Sequence, residues 1–271
     1  MSRRSSPPAV EAPPLPGRRL ALLAGLSTAL PGVGLIGTGA EAAGTVAVEG
    51  GVPRQLPPAA IADLKIELDD GTADGPIGVA VLGLGSIDVP SGRLAGMDAL
   101  LLDGVPYQQA IEPGRYPLQL VLARLPGGEE RAALLQVRLA DRAAVRWSNA
   151  LIEGEDAEDL GDDEVSGFEV ESAVACLIDA QALEAWRSAL ADGAALMSEL
   201  ERVLRENRRP VWTWARVRAA GGSGILVTAG LGEGFAAAYW GLDAAGQPVS
   251  LVLDFDLLDW AALPAAEPIT A

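Results

Sequence analysis

Arg115-Tyr116-Pro117-Leu118-Gln119-Leu120-Val121-Leu122-Ala123 is followed by Pro126-Gly127-Gly128-Glu129-Glu130 and a second apolar run from Ala133 to Leu139. In the first run Tyr116, Leu118, Leu120 and Leu122 alternate with Pro117, Gln119, Val121 and Ala123. A period of two puts alternate side chains on opposite faces of an extended chain, so the stretch predicts a β-hairpin turned by Pro-Gly-Gly. Toward the C-terminus the pattern repeats. Val211 to Arg218 predicts a strand with Trp212, Trp214, Arg216 and Arg218 on one face, and Gly221-Gly222-Ser223-Gly224 turns it into the apolar strand Ile225 to Ala229. Phe235 to Leu242, the turn Asp243-Ala244-Ala245-Gly246-Gln247 and Val249 to Leu258 predict a last hairpin. In that last strand Val249, Leu251, Leu253, Phe255 and Leu257 are expected on a core face, with Ser250, Asp254 and Asp256 facing solvent or a site.

Between these strands the period changes to that of a helix. Asp179 is placed to cap a helix carrying Leu183, Trp186 and Leu190 on one face, Asp192-Gly193 breaks it, and a second helix with Met197, Leu200, Val203 and Leu204 ends before Pro210. The expected fold is therefore α+β: a mostly antiparallel, sandwich-like β-sheet domain over residues 88–260 with a two-helix insert at about 179–208. Residues 43–87 read as a Gly/Pro-rich N-terminal extension with a short strand at Ile77 to Leu82, and residues 261–271 as a C-terminal tail.

The first forty residues read as an address. Arg18-Arg19 precede a mildly apolar run to Gly39, and Ala40 and Ala42 satisfy a small-x-small cleavage rule, as in a twin-arginine export signal. The competing readings are an uncleaved anchor, for which Leu20 to Gly39 is long enough, and a structural helix, against which the glycines and Pro31 argue. A signal cleaved after Ala42 implies a periplasmic or extracellular protein with no stable membrane insertion. Gly32-Val33-Gly34-Leu35-Ile36-Gly37 matches a dinucleotide fingerprint only in letters, because it lies inside this run.

Composition excludes more chemistry than it suggests. The chain has 271 residues, 49% hydrophobic, with a formal net charge of −17 and no histidine. Ser-His-Asp and Cys-His catalysis and histidine-ligated metals are thereby removed. Cys176 is the single cysteine, so an internal disulfide is impossible, and its apolar neighbours predict a buried thiol. Lys65 is the only lysine and has no catalytic serine spacing around it. The acidic balance repels phosphate backbones, so nucleic acid is not an expected partner.

Five segments, in order, resemble the domain of unknown function 4241 family of bacteria over about residues 88–258. They are Ser91-Gly92-Arg93-Leu94-Ala95-Gly96-Met97-Asp98, Pro113-Gly114-Arg115-Tyr116-Pro117-Leu118, and the Arg131 to Leu139 strand leading to Arg146-Trp147-Ser148-Asn149-Ala150. Next come Gly167-Phe168-Glu169-Val170-Glu171 running to Cys176-Leu177-Ile178-Asp179, and Gly230-Leu231-Gly232-Glu233-Gly234-Phe235 with Tyr239-Trp240-Gly241 and Asp254-Phe255. The resemblance implies no activity. The family pattern carries Val-Asp and a Gly-rich step before the cysteine, and Ser-Gly-x-Gly-Asp-Gly before Tyr-Trp-Gly. Here Glu171 and Glu233 stand for the two aspartates and Ala229 for the serine, which favours binding over catalysis.

The candidate site is Glu171 and Glu233 meeting near Arg115 and Tyr239, with Asp254, to hold a small polar ligand or Ca²⁺. The plainer reading leaves Asp179 as a helix cap, Glu233 in a turn and Asp254 in water. The acidic run from Glu153 to Glu164 reads as a solvated, mobile loop that collects calcium weakly at most, since it lacks EF-hand spacing. The expected function is an exported, non-enzymatic binding or interaction module for a protein or small polar ligand, with no required cofactor. The alternative is a carboxylate-dependent, metal-assisted hydrolase at Glu171 and Glu233.

Overall fold

A computed structural model describes residues 61–62 and 77–258, apart from 126, 143, 161–164 and 191. The export segment with Arg18, Arg19, Ala40 and Ala42, most of the N-terminal extension and the C-terminal tail lie outside the described residues. The elements run β1 (Ile61–Ala62), β2 (Ile77–Val89), β3 (Leu94–Asp98), β4 (Gly114–Arg124), β5 (Glu130–Arg138), β6 (Arg146–Asn149), a 3₁₀ turn (Ala157–Asp159), β7 (Gly167–Val170), β8 (Val174–Asp179), α1 (Ala180–Ala189), α2 (Gly193–Leu204), β9 (Trp214–Ala219), β10 (Gly222–Thr228), β11 (Gly234–Leu242) and β12 (Pro248–Asp254). All ladders are antiparallel. One eight-stranded sheet has the order β1-β2-β4-β5-β12-β11-β6, with β7 also paired to β11, and a four-stranded sheet has the order β3-β8-β10-β9.

The two sheets pack face to face because both present an apolar face. Leu118, Leu120, Leu135, Val137, Leu251 and Leu253 from the large sheet interlock with Leu94, Ala175, Leu177, Ile225 and Val227 from the small one. Each buried leucine of this set contributes roughly 2 kcal/mol by leaving water. The small sheet buries its second face under the helices, where Met97, Val174, Cys176 and Ile178 meet Leu183, Trp186, Leu196 and Leu200. That double cover explains why β8 is an unbroken buried run rather than an alternating one. Asp179 caps α1 as expected, its Oδ1 accepting from Ala182 N at 3.0 Å, and Asp192, expected only as a break, caps α2 by accepting from Ala194 N at 2.9 Å, with Gly193 as the first helical residue.

Four expectations are revised. The strand expected at Ile77 to Leu82 runs on to Val89, paired with β4 along its length. The strand expected from Val211 begins at Trp214, and Trp212 is instead buried in the sandwich core. Gly222 to Gly224 are not the turn but the start of β10, the turn being Ala220-Gly221. The last strand does not keep one wet face. A bulge opposite Gly241 and Leu242 carries Val249 to the outer cluster with Val252, and the left-handed backbone of Asp256 sends Leu257 and Leu258 to the same side. Ser250 and Asp254 are buried there, at 4% and 6% exposure.

Side chains close the sandwich where strands do not. On one flank Arg216 of β9 donates to the carbonyl of Leu84 on β2, and Asp88 N donates to Ser223 Oγ of β10 at 2.7 Å. On the other flank Phe168 of β7 lies against Gly96 of β3.

Candidate functional site

The five residues singled out from sequence fall into three separate places. Glu171 follows and Glu233 precedes the last rung of the β7/β11 ladder, Val170 opposite Gly234, so both stand at the same end of that ladder. Both are exposed. Tyr239 and Asp254 lie together further along, on the outer face of the large sheet, where Ala237 faces Asp254 and Tyr239 faces Val252. Burial, then Asp254, then Asp256 push the Tyr239 phenol up to about 12. Asp254 Oδ1 accepts from Asp256 N at 3.0 Å.

Arg115 is elsewhere. It opens β4, exposed, with Nε 3.6 Å from Asp88 Oδ1 and 2.5 Å from Ser86 Oγ. The β5 and β12 strands separate β4 from β11, a gap of about 14 Å at ordinary strand spacing. Following the register, Val121 lies level with Ala237 through Leu134 and Asp254, which puts Arg115 at the opposite end of the sheet from Glu233. The expected constellation of Arg115, Tyr239 and the two glutamates is therefore not assembled.

The buried carboxylates have structural work, and sequence reasoning missed one of them. Asp179, fully buried, accepts from Ala182 N, from Ser91 N at 3.1 Å and from Ser91 Oγ, so it fastens the β2–β3 turn to the start of α1. Asp98, at the end of β3, accepts from Leu100 N and Ser172 N, both at 2.7 Å. The signal for Asp98 was present as an aspartate closing a strand, the position that caps a turn. These bonds satisfy charges that would otherwise be costly to bury.

In the acidic run beginning at Glu153, Glu153, Asp156, Glu158 and Asp159 are exposed as expected, and three side chains also bond to the fold. Glu153 pairs with Arg93 Nη1 at 2.6 Å. Glu155 Oε2 accepts from Ile152 N at 2.9 Å and Ser166 Oγ at 2.7 Å, and Asp156 caps the 3₁₀ turn. Residues 161–164 lie outside the described residues. Among the described residues no three His, Cys, Asp or Glu side chains are grouped to hold a metal ion. Cys176 is buried, and burial with Asp98 nearby pushes its thiol far up, so it stays protonated. Of the face expected to carry Trp212, Trp214, Arg216 and Arg218, Trp212 is buried in the core and Trp214 packs against the same core, so the tryptophans are core wall rather than an open binding face.

No curated protein and no solved structure matches the chain. Residues 87–253, more than half of the sequence, match the family described as Protein of unknown function (DUF4241), and the chain belongs to that family.

Proposed function

We propose that the protein is an exported, non-catalytic binding or interaction module whose partner is another protein or a small polar ligand. One observation carries this reading. Asp98 and Asp179 are held by donors of the fold itself, while Glu171 and Glu233 stand apart from Tyr239, Asp254 and Arg115. Tyr239, Asp254 and Arg115 therefore bring no acid, base or guanidinium to the two glutamates at a common reacting atom. Export is supported by Arg18-Arg19 before the apolar run and by Ala40 and Ala42. The net charge of −17 argues against nucleic acid and anionic membranes as partners. No helix among the described residues is long and apolar enough to cross a membrane.

The alternative, a carboxylate-dependent hydrolase, has one specific observation in its favour: Glu171 follows Val170 and Glu233 precedes its partner Gly234, so both carboxylates stand at the same end of the β7/β11 ladder. Thermal unfolding in EDTA and then in millimolar Ca²⁺, Mg²⁺ and Mn²⁺ separates the two, since a ligand of the folded state raises the midpoint. The binding-module reading expects at most a small Ca²⁺ shift, indifferent to Glu171→Gln and Glu233→Gln. A rise of several degrees abolished by either variant overturns it. Export is checked by sequencing the N-terminus of secreted material, which is expected to begin at Ala43. Accumulation of uncleaved chain inside the cell overturns that part.

A further inference from the structure

We draw no further inference here: the strongest candidate, the surface patch formed by the loops after β3, β7 and β10 with exposed Leu101, Glu171, Leu231 and Glu233, shares its carboxylates with the site already described, and nothing among the described residues shows what covers it.

Discussion

Asp98 and Asp179 stand at opposite ends of one antiparallel strand pair. Asp98 closes β3 opposite Ala175, Asp179 closes β8 opposite Leu94, and both are buried. Each receives backbone N–H groups from the segment that follows or faces it, so the central pair of the small sheet is fastened at both ends by a carboxylate. Asp179→Ala removes a helix cap and two bonds to Ser91, and is expected to cost about 3 kcal/mol. Asp179→Asn keeps an acceptor oxygen and is expected to cost less. Urea unfolding of both variants checks this, and an Asp179→Ala protein as stable as wild type would refute the role.

Gly96 and Tyr107 make a second coupled pair. A Cβ on Gly96 would collide with the Tyr107 hydroxyl and lie 2.5 Å from Phe168 Cε1. Tyr107 is buried, edge-on to Trp240 with ring centres 6.0 Å apart, and its hydroxyl has no hydrogen-bond partner. Gly96→Ala is expected to cost about 2 kcal/mol through overpacking. Tyr107→Phe is expected to be neutral or mildly stabilising, because it deletes a buried group that is unpaired. In the double variant the Phe change is expected to recover part of the loss. A double-mutant cycle by chemical denaturation measures this, and strict additivity would count against the contact.

The β9–β10 turn is tight and carries one ill-suited residue. Ala220 has φ 49° and Gly221 φ 80°, the left-handed pair of a two-residue hairpin loop. Ala220→Asn suits that backbone and is expected to raise stability by about 0.5–1 kcal/mol. Gly221→Ala is expected to lower it by about 1 kcal/mol. Thermal midpoints of the two variants are expected to move in opposite directions.

Alkaline pH is expected to destabilise the protein partly through Tyr239. Its folded phenol is pushed up to about 12 by burial and then by Asp254 and Asp256, from an ordinary value of 10.0. A raised folded value means that the native state favours the protonated form. The contribution is therefore complete below about pH 10 and is lost as the pH rises toward 12. Tyr239→Phe is expected to flatten the stability profile over that window by about 1–2 kcal/mol relative to wild type. Tyr107 and Cys176 are also raised by burial, so the informative quantity is the difference between the two proteins in urea unfolding at pH 9 and above. Identical profiles would refute the assignment.

The hairpin at Arg115 to Leu139, the last hairpin and both helices were legible because alternation, turn residues and caps act over a few positions. Asp179 announces α1 by type and place, and Pro126-Gly127-Gly128 announces its turn. The candidate site was legible only as residue types. Arg115, Tyr239 and Glu233 share good local patterns, yet strand order separates Arg115 from the others, and sequence proximity fixes neighbours only within a hairpin, not the placing of β5 and β12 between β4 and β11.

What the sequence by itself determined is the class of fold, the position of most strands, the buried thiol and the chemistries closed to a chain without histidine. Only the tertiary structure decided that both faces of β12 are buried, that Asp98 holds the Ser172 loop, and that Arg216 spans the seam to Leu84. Local preferences follow from each residue and its neighbours. The pairing of β11 with β6 and β7, and the meeting of β2 with β9 and β10, join positions far apart in the chain, and their energies exist only once both sheets are packed.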